Sequence, residues 1–231
     1  NARLLYDALL SYGAPEIPST YQRPDGQWVA KVFPLDWKEK LMFMGFDAEV
    51  WIKPDHEPSQ GAFYRDPDHD GRITLVLGAG NQGSIGPMDC LYKLFVEGDV
   101  CILKLNPVND YLGPYMVRAF RALIEGNFMT VVYGGTETGK YLCGHELVDR
   151  IHITGSDKTH DAIVWGTGSD GATNKENNTP INTRSITSEL GCVTPIVVVP
   201  GDWTDKELDY QARQIASMVT HNASFNCNAG K

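Results

Sequence analysis

The run Ile73-Thr-Leu-Val-Leu77 opens the segment around which the fold is built. It is followed by a glycine loop, Gly78-Ala-Gly-Asn-Gln-Gly-Ser-Ile-Gly86, by apolar residues at helical spacing from Met88 to Val96, and by a second apolar run, Val100-Cys-Ile-Leu-Lys104. A β-rich run, a loop, a helical period and another β-rich run together predict a strand–helix–strand crossover. Both runs are almost continuously apolar, which is typical of parallel strands that are covered on both faces.

Polar residues lie where both of these strands are predicted to end. Asn81 lies in the loop after the first strand, and Lys104 is the last residue of the second. Because ligands bind at the carboxyl ends of the strands in open α/β sheets, the two residues predict a ligand-binding edge. Gly78, Gly80 and Gly83 also match the spacing G-x-G-x-x-G. No acidic residue ends the second strand to bind a ribose, so this match alone indicates an ordinary strand–helix turn.

The alternation of strands and helices continues along the rest of the chain. Further strands are predicted at 128–133, 150–154, 162–165 and 195–199, and helices at 115–124, 140–147 and 205–220, the last with Thr204 as its N-cap. The polar segment 168–187 is predicted to be a long loop or a crossover between domains. Repeated alternation of this kind predicts an α/β protein with a parallel, doubly wound sheet and right-handed connections.

The first 60 residues give weaker signals, which predict a helix at 2–10, strands at 28–32 and 48–52, and a helical turn at 38–44. After them, Asp66-Pro-Asp-His-Asp-Gly71 starts like a calcium-binding loop. The twelfth position of such a loop requires a bidentate Glu, and this chain has Leu77 there. A solvated acidic turn is therefore the preferred interpretation, and no metal site is predicted.

Composition narrows the classes of function. The 231 residues carry a net charge of −9, which argues against nucleic acid or an anionic membrane as a partner, because both bind clusters of Lys and Arg. No apolar run approaches the ~20 residues of a membrane-spanning helix, and the first residues do not resemble a signal peptide. Five scattered cysteines predict buried thiols in a reducing, cytoplasmic compartment. The chain has no initial Met and stops within a motif at Gly230-Lys231, which predicts a fragment.

Short motifs in a fixed order carry a resemblance that no single one of them carries. After Asn81 and Lys104 the chain has Gly135-Thr-Glu-Thr-Gly139, Ile153-Thr-Gly-Ser156, Ser188-Glu-Leu-Gly191 and Asn222-Ala-Ser-Phe-Asn-Cys227-Asn-Ala-Gly230. From about Ile73 to Lys231, this order resembles the aldehyde dehydrogenase superfamily. The second of these motifs resembles that family's Phe-Thr-Gly-Ser, the third its Glu-Leu-Gly-Gly, and the last the segment around its cysteine nucleophile.

The resemblance implies the oxidation of an aldehyde to a carboxylic acid. Cys227 would be the nucleophile, because a thiolate attacks a carbonyl near neutral pH and forms a thioester that is easily hydrolysed. Glu189 would activate the hydrolytic water. The side-chain amide of Asn81 and the backbone N–H of Cys227 would stabilise the oxyanion of the tetrahedral adduct.

The resemblance also implies NAD or NADP as the cofactor. Lys104 would contact the adenosine ribose, and Gly155 and Ser156, at a helix entrance, would lie beside the pyrophosphate. The remaining implied cofactor-binding residues are glycines that allow the backbone to approach the adenosine and two residues of the Glu-Leu-Gly motif: Gly135, Gly139, Leu190 and Gly191.

Several residues depart from the family pattern. Pro107 stands where the family usually has a Glu that would repel a 2′-phosphate, so the choice between NAD and NADP stays open. Cys192 replaces the second Gly of Glu-Leu-Gly-Gly, and Ser224 and Phe225 replace the usual Gly-Gln before the nucleophile. These departures predict a divergent member.

The implied organisation is a Rossmann-like cofactor domain at 61–187, an N-terminal segment at 1–60 that packs on it, and the beginning of an α/β catalytic domain at 188–231. The implied partner is a small aldehyde, and the full-length protein is expected to be a homo-oligomer. Two alternatives stay open: transfer of the acyl group to coenzyme A, and a non-catalytic nucleotide-binding module on the same scaffold.

Overall fold

Two separate sheets form in this chain, one in each of the two units into which it divides, Asn1–Asp70 and Gly71–Lys231. The computed structural model describes residues 2–66, 68–192 and 194–230. All the candidate site residues of the sequence analysis belong to the second unit.

The first unit contains a small antiparallel sheet and short helices. Asp36 begins the second of these helices, because its side chain accepts hydrogen bonds from the backbone N–H groups of Lys38 and Glu39. In chain order the elements are α1 (Ala2–Tyr12), β1 (Thr20–Gln22), β2 (Trp28–Phe33), α2 (Trp37–Met42), β3 (Ala48–Trp51) and α3 (Ala62–Arg65), and the sheet order is β1-β2-β3. The helices and strands predicted for this part of the chain are confirmed.

The second unit contains a five-stranded parallel sheet. Its strands are β4 (Ile73–Leu77), β5 (Val100–Lys104), β6 (Met129–Val132), β7 (Arg150–Thr154) and β8 (Ser185–Glu189), in the spatial order β6-β5-β4-β7-β8. The chain therefore builds outward from β4 to β6 and then continues on the other side of β4. A sheet of this order has its ligand crevice at the carboxyl ends of the central strands, where the connections diverge. The predicted α/β class and parallel sheet are confirmed.

Helices connect the parallel strands. Thr204 caps the longest of them in a capping box with Glu207, which confirms the predicted N-cap. In chain order the elements are α4 (Ile85–Tyr92) with a π-helical turn (Lys93–Glu97), a 3₁₀ turn (Pro107–Leu112), α5 (Gly113–Ala119), α6 (Arg121–Glu125), α7 (Thr136–Gly144), α8 (Asp157–Val164), α9 (Gly168–Glu176), α10 (Asp205–Thr220) and a second 3₁₀ turn (His221–Ser224).

Apolar residues cover both faces of the parallel sheet. Adjacent strand residues point to opposite faces, and the buried neighbours Leu75 and Val76 of β4 belong to two different clusters. Val76 packs with Cys90, Cys101, Leu103, Leu105, Met116 and Met129, and Leu75 packs with Cys143, Val148 and Ile151. Burial on both faces explains the almost continuous apolar runs of these strands.

A buried charge network joins the strands at their amino ends. The fully buried Asp99 carboxylate accepts a hydrogen bond from Thr74 Oγ1 at 2.7 Å. It also pairs with Arg72 Nε at 3.2 Å and with Arg150 Nη1 at 3.4 Å. Arg150 Nη1 lies 3.1 Å from Glu97 Oε2 as well. The network therefore ties together the starts of β4, β5 and β7.

Three predictions of local structure are wrong. Residues 162–165 are not a strand but form the end of α8 and its C-cap, because a short apolar run cannot be distinguished from a helical turn by periodicity. The segment 168–187 is not a loop: it contains α9 and the start of β8, whose polar residues suit their exposed surfaces. Residues 195–199 are not a buried strand. Val197, Val198 and Val199 are exposed, and the segment makes only an isolated bridge, at Thr194, among the described residues.

Candidate functional site

Five predicted site residues lie at or just after the ends of the five parallel strands. Moving across the sheet from β6 to β8, these residues are Gly135, Lys104, Asn81, Ser156 and Glu189. Because the strands all run in one direction, the residues lie along one edge of the sheet, the carboxyl edge. Their spatial order differs from their order in the sequence, so the fold is what brings them onto a common edge.

Lys104 carries an unusual charge at this edge. The residue is 8% exposed, and its ammonium group has no hydrogen-bond or ion-pair partner among residues 2–66, 68–192 and 194–230. Burial lowers the pKa of Lys104, although the negative charge of Asp110 acts in the opposite direction. An ammonium at the end of a largely buried side chain, without a protein partner, is suited to a ligand that brings hydrogen-bond acceptors.

Two further groups near Lys104 were missed by the sequence analysis. Oδ1 of Asp110, in the first 3₁₀ turn, is buried and has no hydrogen-bond partner in the described part of the chain. Cys143 of α7 is also buried, and burial raises the pKa of its thiol to about 11, so its sulfur is uncharged at neutral pH. Neither residue belongs to a recognisable motif; Asp110 lies in the turn that follows β5, and the tertiary fold brings Cys143 near the strand end.

Two asparagines hold the loop that contains Asn81 against the first 3₁₀ turn. Asn109 is buried and donates a hydrogen bond from Nδ2 to the carbonyl oxygen of Ala79 at 2.9 Å. A Cβ atom on Gly80 would lie 2.9 Å from Nδ2 of Asn106, so close packing requires glycine there. Packing thus accounts for Gly80, in agreement with an ordinary strand–helix turn. The pair Asn106-Pro107, with Asn as N-cap and Pro inside the first turn, is a sequence signal that could have located this contact.

The backbone after β6 requires glycine at position 134, one residue before the predicted Gly135. Gly134 has a φ of +121°, and a Cβ atom there would lie 2.3 Å from Thr138 Oγ1. Gly135 and Gly139 differ, because no described heavy atom lies within 4 Å of their Cβ positions. The space beside Gly135 and Gly139 is therefore open.

Alanine substitutions at two of these glycines should have opposite effects on stability. Gly134→Ala is expected to destabilise the fold by ~1–2 kcal/mol, since it places a side chain in a conformation that L-residues disfavour. Gly139→Ala lies inside α7 and is expected to stabilise the fold by ~0.5–1 kcal/mol through helix propensity. Denaturant unfolding of both variants measures the two changes, and an unaffected Gly134→Ala protein would contradict the assignment.

The turn after β7 is tied to the end of β8. The backbone N–H of Gly155 donates to the carbonyl oxygen of Glu189 at 3.0 Å. Ser156 caps α8, since its hydroxyl oxygen accepts a hydrogen bond from the backbone N–H of Lys158 at 3.1 Å. Glu189 is exposed, as are Gly155 and Ser156. Leu190 and Gly191 follow directly, and the cofactor contacts implied for all these residues stay predictions.

A polar cluster lies beneath this part of the edge and was also missed. Nδ1 of the buried His152 lies 2.8 Å from Thr187 Oγ1, and its Nε2 lies 3.4 Å from Asp89 Oδ2. Thr154 Oγ1 donates to the same Asp89 oxygen at 3.1 Å. The cluster thus links three elements at the candidate site: α4, which follows Asn81, β7, which precedes Ser156, and β8, which contains Glu189.

Cys227 is exposed and lies in a segment that contacts two others. Asn222 donates from Nδ2 to the backbone carbonyl oxygen of Asn81 at 3.2 Å. Thr194, five residues after Glu189, donates from Oγ1 to the backbone carbonyl oxygen of Cys227 at 2.9 Å. These contacts join the three chain segments that contain the predicted oxyanion donor, base and nucleophile, whose roles stay predictions.

Comparison with known proteins bears on this arrangement. No known family's sequence profile matches the chain. Among solved structures, it is similar to succinic semialdehyde dehydrogenase from Streptococcus pyogenes, in complex with NADP⁺, with 15% identity and a TM-score of 0.50 over 68% of this chain and 31% of that one. A putative aldehyde dehydrogenase from Burkholderia cenocepacia has 21% identity and a TM-score of 0.52 over 69% of this chain and 30% of that one. Staphylococcus aureus AldH has 18% identity and a TM-score of 0.53 over 69% and 31%.

The chain has an aldehyde dehydrogenase fold. This finding confirms the resemblance that the motifs predicted. The chain spans about a third of the length of these aldehyde dehydrogenases. Within its described residues, no three His, Cys, Asp or Glu side chains are grouped to hold a metal ion. None of the described helices has the length and apolarity needed to cross a membrane.

Proposed function

We propose that this chain binds NAD or NADP at the carboxyl edge of its parallel sheet and takes part in the oxidation of an aldehyde to a carboxylic acid. The observation that carries the proposal is Lys104, whose side chain is largely buried at a strand end of an aldehyde dehydrogenase fold and whose ammonium lacks a partner in the described part of the protein. Support comes from the streptococcal enzyme with the same fold, which uses NADP⁺ as its cofactor.

The residues of this edge fit a dinucleotide. Lys104 would donate hydrogen bonds to the ribose hydroxyls, which supply the acceptors that its ammonium lacks. The open space at Gly135 and Gly139 would admit the adenosine. Gly155 and Ser156, at the start of α8, would lie beside the pyrophosphate, where helix N–H groups favour negative charge. Leu190 and Gly191 complete the proposed set. Pro107 has no carboxylate that would repel a 2′-phosphate, so both NAD and NADP are candidates.

The proposed chemistry starts at Cys227. Its thiolate attacks the aldehyde carbon, and the carbonyl π electrons move to the oxygen to give a thiohemiacetal. The Asn81 amide and the Cys227 backbone N–H donate hydrogen bonds to this oxyanion. The bound nicotinamide would supply the hydride acceptor, and loss of hydride from the adduct leaves a thioester on Cys227.

Glu189 is proposed to complete the turnover. Its carboxylate accepts a proton from water, the resulting hydroxide attacks the thioester carbon, and the acid departs as the C–S bond breaks and the thiolate is regenerated. Glu189 is exposed at the end of β8, where water has direct access to it. With coenzyme A in place of water, the same thioester would yield an acyl-CoA, and this remains the alternative acceptor.

A single-turnover experiment tests the proposal. The protein is mixed with an excess of a small aldehyde and NAD⁺ or NADP⁺, and NAD(P)H absorbance and the intact mass are followed together. We expect a burst of about one equivalent of reduced cofactor per active site before steady turnover, with an acyl adduct on Cys227 during the burst. Glu189→Gln should keep this burst but accumulate the adduct, because deacylation loses its base. Addition of coenzyme A to that variant separates the two acyl acceptors.

Cys227→Ala is the matched control. It should bind nucleotide like the wild type, since the side chain is exposed and is not one of the proposed cofactor contacts, but it should form neither adduct nor reduced cofactor. Equal formation of NAD(P)H by Cys227→Ala would refute the catalytic role. Nucleotide binding without any burst in the wild-type protein would favour the non-catalytic module.

A further inference from the structure

The five cysteines of this chain fall into two chemical classes. Cys90, Cys101 and Cys143 are buried in the apolar clusters on the two sheet faces. Burial raises the pKa of the Cys143 thiol, and a hydrogen bond with the neighbouring Cys101 thiol, together with burial, raises the pKa of Cys90. Cys192 and Cys227 are exposed. Since oxidation of a cysteine depends on solvent access and on thiolate formation, the exposed pair is the reactive class.

The two exposed cysteines are brought together by one threonine. The Cys192 Sγ atom lies 3.7 Å from Thr194 Oγ1. The same Thr194 oxygen lies 2.9 Å from the backbone carbonyl oxygen of Cys227 and donates a hydrogen bond to it. The Thr194 hydroxyl group therefore contacts both the Cys192 sulfur and the Cys227 backbone.

Backbone pairing supports the same proximity. Thr194 forms a parallel β-bridge with Gly230, so the segments that carry the two cysteines run side by side in the same direction. The bridge brings the backbones of Thr194 and Gly230 to ~4.8 Å from each other. Cys192 lies two residues before Thr194 and Cys227 three residues before Gly230, so both cysteines are close to this contact along the chain.

The intervening chain is ordered in a way that favours this pairing. Between the two cysteines lies α10, whose start is fixed by the Thr204–Glu207 capping box. Beyond its end, the backbone N–H of Gly230 donates to the carbonyl oxygen of Met218 at 2.9 Å. Because the fold already closes this loop, the loop-closure entropy of forming a disulfide across it is largely offset before the bond forms.

We propose that Cys192 and Cys227 form a reversible disulfide when the protein meets a hydroperoxide. The Cys227 thiolate attacks the peroxide, the O–O bond breaks, and a sulfenic acid forms on Cys227 with release of water or an alcohol. The Cys192 thiol then attacks the sulfenic sulfur, the S–O bond breaks, and a second molecule of water leaves as the S–S bond forms. Two thiols lose two electrons and two protons, and the peroxide is reduced.

The disulfide regulates the site on which the proposed function rests. With its sulfur in a disulfide, Cys227 is no longer a nucleophile, and it is protected from irreversible oxidation to the sulfinic acid. A dithiol restores both thiols by exchange. Cys192 is in this respect a resolving cysteine, placed where the family motif has a glycine.

Mass spectrometry of the peroxide-treated protein tests the proposal without nucleotide or aldehyde. The wild-type chain, treated with hydrogen peroxide and then with dimedone, should lose the mass of two hydrogen atoms and yield a peptide that links Cys192 to Cys227. Dithiothreitol should reverse both changes. Cys192→Ser cannot form this link, so it should instead retain dimedone on Cys227. Cys143→Ser leaves the exposed pair intact and should behave like the wild type.

The outcomes separate this proposal from the proposed function. Equal dimedone labelling of Cys227 in the wild type and in Cys192→Ser, with no linked peptide, would overturn the disulfide whatever the catalytic activity. A link between Cys90 and Cys101, or between two chains, would overturn it as well. If the linked peptide forms but the single-turnover burst is absent from the reduced protein, the disulfide stands and the catalytic role of Cys227 falls.

Discussion

Lys104→Met is expected to yield a protein that is more stable than the wild type and that binds NAD or NADP about tenfold more weakly. Methionine fills a volume similar to that of the lysine stem but removes the ammonium, which lacks a protein partner within the described residues. We expect a stability gain of up to ~1 kcal/mol, because burial disfavours the charged form of Lys104 and an apolar side chain of similar shape avoids this cost. Denaturant unfolding and calorimetric titration with each nucleotide measure the two effects.

The stability gain should depend on pH in a defined direction. Burial lowers the pKa of Lys104 in the folded protein below its ordinary value of 10.5, so the unfolded chain holds this proton more tightly. Wild-type stability relative to the variant therefore rises as the pH increases through the interval between the two pKa values. The advantage of Lys104→Met is full below the pKa of Lys104 in the folded protein and should disappear above 10.5.

Lys93 provides the matched control for this prediction. It is buried like Lys104, at 4% exposure, but its ammonium pairs with Glu97 at 2.7 Å. Lys93→Met should therefore destabilise the fold and leave nucleotide affinity unchanged. A Lys104→Met protein that is less stable than the wild type, or that binds both nucleotides equally well, would contradict the assignment of Lys104 as a ligand-directed charge.

Asp99→Ala is expected to have the largest effect on stability, a loss of about 3 kcal/mol. The substitution removes the fully buried carboxylate that holds Thr74, Arg72 and Arg150 together. It leaves a buried hydroxyl and two partly buried guanidinium groups without this partner, and breaking such a network is more costly than never having it. Thermal or denaturant unfolding measures the loss.

An exposed ion pair provides the comparison. Asp209 and Arg213 of α10 pair at 3.0 Å, but their side chains are 65% and 77% exposed. Asp209→Ala should change stability by less than about 0.5 kcal/mol, because water screens such pairs. Asp99→Asn keeps the shape without the charge and should fall between Asp99→Ala and the wild type. An Asp99→Ala protein as stable as Asp209→Ala would rule out the network as a structural determinant.

Apolar runs and strand-end polar residues predicted most of the parallel sheet. The runs at 73–77 and 100–104 matched β4 and β5 residue for residue, because strands buried on both faces leave an unambiguous pattern. The placement of Asn81 and Lys104 at the carboxyl edge followed from that pattern. The edge strand β8 was not predicted, because it is mostly exposed and has few apolar residues, so its sequence pattern resembled that of a loop.

The surroundings of the candidate site were less accessible from the sequence. Cys143 reaches Lys104 only through tertiary packing, and His152 meets Asp89 across 63 positions of the chain. The spacing of residues along the sequence does not indicate such contacts. Pairing of Cys192 with Cys227 depends in the same way on the bridge at Thr194, which the apolar run after it did not predict.

The two ends of the central parallel strands place different requirements on the residues there. At the amino ends, the carboxylate of Asp99 is matched by opposite charges, so a substitution there is judged by whether the protein still folds. At the carboxyl ends, Lys104 and Asp110 leave polar atoms unmatched, so a substitution is judged by what the protein still binds. Under the proposed function, nucleotide preference can be retuned by mutagenesis in the loops after the strands without disturbing the buried charge network at their amino ends.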